Sequence, residues 1–182
     1  MHWIIKITTG LAWLNTRLIR LTKYLTLSLV GVMTAIILTQ VFFRYVLNNS
    51  LPWTEELARY LMVWMTFLAL PVVSRENQHA ALEIVLGALP VRLNAALQLI
   101  ICVLIGLVLV YAFSHGLDFA LKGQRMLSNT LPVAKFWSYM AMPIGFGLMI
   151  LVYLELFLKS LATLIQPGKY AGHPVHAAWE KL

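Results

Sequence analysis

The sequence predicts an all-α membrane protein: four transmembrane helices plus an N-terminal amphipathic interfacial helix, with both termini cytoplasmic. Three observations carry that expectation. Hydrophobic residues make up 60% of the 182 positions and charged residues only 12%, about half the share of a soluble domain. Long uncharged runs recur along the chain, each flanked by charge. The basic residues then fall unevenly on the two sides that these runs would separate.

The first 23 residues read as an amphipathic arm. Ile4, Ile7, Leu11, Leu14, Leu18 and Leu21 recur at spacings of three and four. Lys6, Arg17 and Arg20 interrupt the apolar pattern, and no small-residue cleavage site follows, unlike a secretory signal. Trp3 and Trp13 suit headgroup level, and the basic side chains suit anionic lipid. A transmembrane domain over 24–165 follows, then a polar cytoplasmic tail over 166–182.

The first span is expected over about 24–47, with no formal charge between Lys23 and Arg44. The second, about 53–74, crosses only if Arg59 and Arg75 sit near the two interfaces; Pro71 is expected to bend its last turn. The third, about 92–117, stays uncharged to Asp118. Continued to Lys122 it would reach roughly 45 Å, with Gly123 as a stop. The fourth, about 132–157, begins after "SNTLP", where Thr130 offers a cap and Pro132 suits a first turn. Pro143, Gly145 and Gly147 allow a kink or a close helix contact there.

An even number of spans puts both termini on one side. Lys6, Arg17, Arg20, Lys23, Arg75, Arg92, Lys159, Lys169 and Lys181 share that side; Arg44, Arg59, Lys122, Arg125 and Lys135 lie opposite. The larger share of the 14 basic residues therefore sits with the termini, which orients them to the cytoplasm.

On this topology "NNSLPWTEELARY" is the extracytoplasmic turn of the first hairpin. Asn48, Asn49, Ser50 and Pro52 are turn formers. Either Ser50 or Thr54 caps the second helix. Glu55 and Glu56 fall in its first turn, where the helix dipole favours negative charge. Glu55 precedes Arg59 by four residues, the better order for a helical ion pair. Trp53 fits an aromatic belt. Arg44 reaches the acidic pair if the first helix ends beside the second. A capped, anchored helix start accounts for these residues, and so does a docking face for a periplasmic protein or a larger membrane subunit.

Several function classes are excluded. The net charge of +7 is scattered, with no dense basic patch, so no nucleic-acid partner is expected. The lone Cys102 permits no intrachain disulfide and no CxxC motif. No P-loop, HExxH, GxSxG or dinucleotide fingerprint occurs, so no enzymatic activity, cofactor or metal is expected. His79 and His115 fall near opposite membrane faces, while His173 and His176 lie in the polar tail. The span interiors lack ionisable residues, and Thr39 and Gln40 read as helix–helix contacts. Such a chain reads as an accessory subunit that needs a larger partner. Gly31 with Ala35, and Gly145 with Gly147, are the helix-packing candidates.

The order of residues adds a resemblance. "QVFFRYVLNNSLPWTEELARYLMVWMTFLALPVVSRENQHAALE" and the later "LPVAKFWSYMAMPIGFGLMI" resemble the small membrane subunit of tripartite ATP-independent periplasmic (TRAP) transporters. Phe43, Arg44 and Tyr45 match the end of the family's first span; Asn48 and Ser50 match its turn. Trp53, Glu55, Glu56 and Arg59 match the next helix start, and Trp64, Phe67 and Leu68 its body. Arg75 and His79 follow, then Leu131, Pro132, Tyr139, Pro143 and Gly145. Ala69, Ala80 and Glu83 depart from the usual glycine, branched aliphatic and aspartate. The likeness spans about 24–159.

The resemblance implies a non-catalytic subunit in the bacterial inner membrane. It would scaffold the large membrane subunit as a one-to-one heterodimer and help dock the periplasmic substrate-binding protein. Uptake would be sodium-driven, of an organic acid such as a dicarboxylate or a sialic acid. Arg44, Trp53, Glu55, Glu56 and Arg59 become partner-docking candidates; Arg75 and His79 become cytoplasmic-interface candidates, for lipid or the large subunit. The competing expectation, a membrane anchor of a haem- or quinone-linked redox enzyme, needs two histidines at one depth.

Overall fold

The computed structural model describes residues 2–77, 91–128 and 130–165. His79, Glu83, the remainder of the middle connection and the tail with His173 and His176 lie outside the described residues. Among the described residues five α-helices follow in order: α1 His2–Tyr45, α2 Pro52–Asn77, α3 Val91–Lys122, the single turn α4 Phe136–Tyr139, and α5 Ala141–Ile165. Four stretches are long and apolar enough to cross a bilayer: Gly10–Tyr45, Pro52–Arg75, Ala96–Arg125 and Phe136–Leu161. The last of these joins α4 to α5.

The boundary expected at Lys23 does not break the chain. α1 runs unbroken for 44 residues, about 66 Å, so arm and first span are one helix. No proline interrupts it. Thr16, Thr22, Thr26, Thr34 and Thr39 each donate a hydroxyl to the carbonyl four residues earlier, at 2.7–2.9 Å, which satisfies polar groups within the helix itself. The face it buries is polar. Leu14 and Leu21 point outward, whereas Asn15 and Thr22 are buried.

α1 closes into a turn at Asn48. Its φ of 49° is left-handed, a conformation asparagine tolerates better than most residues. This lets the Asn49 N–H reach back to the Phe43 carbonyl at 3.0 Å.

α2 and α5 meet at an unusually close point. Pro71 stands inside α2 and has no N–H, so the Phe67 carbonyl loses its intrahelical donor. Gly145 lies against that carbonyl: a Cβ built there would sit 2.6 Å from Phe67 O and 2.9 Å from Phe67 Cβ. One α-hydrogen of Gly145 takes the Cβ position and points at the oxygen, the geometry of a weak C–H···O bond. The ring of Phe67 meets Phe146 edge-on, centroids 5.4 Å apart. α3 packs on the other flank of α5, with Gly116 against Met142 and Pro143, and Phe113 against Gly147. Towards the terminal end, Cys102, Val152 and Leu156 form a buried cluster joined by Ile19 of α1.

The fourth span starts later than Pro132. Between a 3₁₀ turn at Gly123–Arg125 and α4, the chain folds back on itself as a strap. Ser128 N–H donates to Val133 O at 3.0 Å, and Lys135 N–H to Met126 O at 2.9 Å, with Leu127 bridged to Ala134. Leu131 and Pro132 are the strap's bend, not a helix start. Pro143 then separates α4 from α5, because it offers no N–H to the Tyr139 carbonyl. α3 does continue to Lys122. Gly123 follows because the Tyr139 ring leaves no room for a side chain: a Cβ would lie 2.6 Å from Tyr139 Cδ2.

The Gly145 contact is testable. Gly145→Ala should push α2 from α5 and cost about 1–3 kcal/mol, read as a lower unfolding temperature in detergent. Gly31→Ala, where a Cβ meets nothing within 4 Å, should leave the temperature unchanged or slightly raised, since alanine favours a helix over glycine. Equal behaviour of the two variants would refute the close approach.

Candidate functional site at the hairpin end

The turn between α1 and α2, the end of α3, the strap and α4 gather at one end of the bundle, here called the rim. α2 opens at Pro52, so neither Ser50 nor Thr54 directly precedes its first residue. Thr54 instead lies within the first turn, 1% exposed, and donates its hydroxyl to the Leu51 carbonyl at 2.6 Å.

The two adjacent glutamates do different things. Glu55 is exposed and pairs with Arg59 at 3.1 Å, the predicted one-turn ion pair. Such an exposed pair contributes little stability. Glu56 turns to the strap. Its Oε2 accepts from the Thr130 N–H at 2.8 Å and, at closer range, from the Thr130 hydroxyl. The Tyr60 hydroxyl lies 2.8 Å from Ser128 Oγ and 3.4 Å from Glu56 Oε1. Thr130 thus fastens the strap to α2 instead of capping a helix. One turn further along, Trp64 Nε1–H donates to the Trp137 carbonyl within α4, at 2.9 Å.

Of the other docking candidates, Trp53 is exposed on the outer side of the rim. Arg44 is also exposed, its guanidinium 5.7 Å from the centre of the Tyr45 ring.

A second polar cluster, absent from the sequence expectations, lies at the opposite end. Glu155 is 3% exposed on α5. Its Oε2 accepts from Asn15 Nδ2 at 2.7 Å, and the same amide donates to Leu151 O at 2.9 Å. Lys159 Nζ lies 2.5 Å from Glu155 Oε1, and an Arg75 nitrogen lies 3.8 Å from the same oxygen. Arg75 also donates to Thr16 Oγ1 at 2.9 Å. Arg75 therefore ties α2 to both α1 and α5; its proposed companion His79 lies outside the described residues. The Glu155–Lys159 spacing of four was readable. The arrival of Asn15 from 140 residues earlier was not.

The packing candidates divide likewise. Gly145 and Gly147 are used inside the chain, whereas Gly31 and Ala35 lie on the exposed face of α1. His115 is stacked on Tyr111 at 4.0 Å on the outer side of α3. Among the described residues, no group of three or more His, Cys, Asp or Glu side chains gathers as a metal site.

Four bilayer-length helices held together by a few polar latches make this a multi-pass membrane protein, and its relatives make it a bacterial transport protein. Residues 33–163 match the family of tripartite ATP-independent periplasmic transporters, DctQ component, and the chain belongs to that family. It is 28% identical to the sialic acid TRAP transporter small permease protein SiaQ of Vibrio cholerae, over 73% of this chain and 77% of that one. It is 27% identical to the ectoine TRAP transporter small permease protein TeaB of Halomonas elongata, over 66% of this chain and 63% of that one. It is 30% identical to the isethionate TRAP transporter permease protein DctMQ of Oleidesulfovibrio alaskensis, over 53% of this chain but 16% of that much longer one. These relatives are transporter permeases, not enzymes, and they lend no support to a redox-enzyme anchor.

Both clusters predict measurable losses. Glu56→Ala should accelerate hydrogen exchange at the Thr130 amide and cost about 1–3 kcal/mol, since a charged acceptor is removed. Glu155→Leu should be worse, about 3–5 kcal/mol, because it removes the buried anion on which Asn15, Arg75 and Lys159 converge. If thermal melts rank the two variants the other way, the buried cluster is weaker than its geometry implies.

Proposed function

We propose that this chain is the non-catalytic scaffold of a TRAP transporter, with its termini in the cytoplasm and its rim facing the periplasm across the bacterial inner membrane. It braces the large membrane subunit as a one-to-one heterodimer. It also helps receive the periplasmic substrate-binding protein during sodium-driven uptake of an organic acid such as a dicarboxylate or a sialic acid.

The observation that carries this reading is the division within "WTEELAR". Thr54 and Glu56 turn inward and hold the rim together, while Trp53, Glu55 and Arg59 remain outward on a surface so held. A rigid rim loses little conformational freedom when a partner lands on it. The most apolar stretch of α1 has none of its residues buried within the chain, which leaves surface for the large subunit or for lipid. The isethionate relative, in which the matching part is 16% of one long permease chain, supports a large membrane partner. Relatives named for sialic acid, ectoine and isethionate support a small subunit that leaves substrate choice to other polypeptides.

Around the cytoplasmic end, Trp13 is exposed with the Arg17 guanidinium 5.5 Å from the centre of its ring, and Arg20 is exposed beside them. This part of α1 serves as the interfacial arm on anionic lipid. At that end we assign Arg75 and His79 to contact with lipid or the large subunit.

Co-expressed with its large subunit, the chain should purify at one-to-one stoichiometry. Glu55→Lys should then lower uptake by the intact complex about threefold to tenfold, as rim charges do, without loss of complex from the membrane. Undiminished uptake would remove Glu55 from the docking surface; failure to co-purify would remove the scaffold role.

A further inference from the structure

Beyond the α2 start, the rim carries a second feature that no sequence motif marked. The strap leaves α3 at Gly123 and returns at Lys135, and Glu56 and Tyr60 bind its Thr130 and Ser128. It is therefore drawn across the bundle end towards α2, with its outer side turned away from the helices. That side is exposed at Gln124, Arg125, Met126 and Leu127, with Lys135 half-buried beside them.

Among the described residues the charge at this end is not balanced. At this end Arg44, Arg59, Lys122, Arg125 and Lys135 stand against Glu55, Glu56 and Asp118. Glu55 is engaged by Arg59 and Glu56 by the strap itself. Neither Arg125 nor Lys135 makes an ion pair among the described residues. Leu127, 73% exposed, lies between these cations on the bridged part of the strap. An apolar side chain flanked by uncompensated cations, on a fastened loop, suits an acidic protein surface.

We infer that this strap is a cationic docking element for an acidic face of the periplasmic substrate-binding protein, held in register by Glu56 as a positioning residue. The inference rests on the docking role proposed above and adds to Glu55 a second, oppositely charged patch formed by Arg125 and Lys135.

The test uses the complex with the large subunit in neutral phosphatidylcholine nanodiscs and the transporter's own purified substrate-binding protein. Arg125→Glu with Lys135→Glu should weaken binding about tenfold or more and flatten its dependence on salt. The milder Arg125→Gln with Lys135→Gln should give about a threefold loss, and guards against misfolding of the reversal variant. Glu56→Gln should weaken binding while leaving the salt slope of the remaining binding intact, since it loosens the strap and removes none of its cations. Equal affinity for wild type and both strap variants overturns the inference while the docking role stands. So does a difference that appears only when the nanodiscs contain anionic lipid, because the strap then reads headgroups. If the wild-type complex binds no substrate-binding protein at all, the docking role itself falls and this inference with it.

Discussion

A carbonyl without a partner sets the centre of this molecule. Pro71 takes the N–H away from Phe67 O, and an unpaired carbonyl in an apolar surround costs free energy. Gly145 answers it by bringing α5 so close that any side chain would collide. With α2 and α5 fixed at that depth, Trp64 falls level with α4 and reaches the Trp137 carbonyl. Tyr60 and Glu56, one and two turns higher, fall level with Ser128 and Thr130. The rim is thus a consequence of the contact beneath it.

The two polar clusters solve one problem at opposite ends. In hydrocarbon, apolar side chains gain nothing by leaving lipid for one another, so helices associate through close packing and hydrogen bonds. Glu155 recruits Asn15 from α1, Arg75 from α2 and Lys159 from its own helix, so one carboxylate joins three helices. Its burial would be costly alone and is offset by two cations and an amide. Glu56 joins α2 to the strap in the same way, nearer to water. Glu155 explains the course of α1: the arm turns Asn15 and Thr22 inward because Asn15 has a buried acceptor to meet, and Leu14 and Leu21 are left on the outer surface.

Local signals were legible and distant ones were not. The four crossings, the Glu55–Arg59 pair, the extension of α3 to Lys122 and the stop at Gly123 all follow from spacing and hydropathy within a few residues. The strap did not, because Thr130 and Pro132 carry the chemistry of a helix start. Backbone pairing across the bend, together with an acceptor 74 residues earlier, outweighs that preference. The inward face of the arm is set by a distant partner too. The structure buries Asn15 and Thr22 and leaves Leu14 and Leu21 exposed, and between membrane helices the apolar side need not be the packed side. Pro71 and Gly145 were each visible as special residues, yet nothing local says that one supplies the oxygen the other must approach.

The outer faces of the bundle differ in chemistry, and that difference bears on the proposed assembly. Outward positions of α3 such as Leu104, Leu107 and Val108 are aliphatic and large, a surface that lipid tails cover without discrimination. The outward face of α1 mixes Gly31, Thr34, Ala35 and Thr39 with larger residues. The hydroxyls of Thr34 and Thr39 are bonded to their own helix, so this face offers shape rather than free donors. Shape is what close packing between membrane helices uses: inside this chain, Gly116, Gly145 and Gly147 already let neighbours approach to contact distance. A large subunit seated on α1 would extend the same packing rule outward. A bracket of this kind needs one face that fits a neighbour and one that lipid covers, and a rim whose polar residues are fastened before any partner arrives.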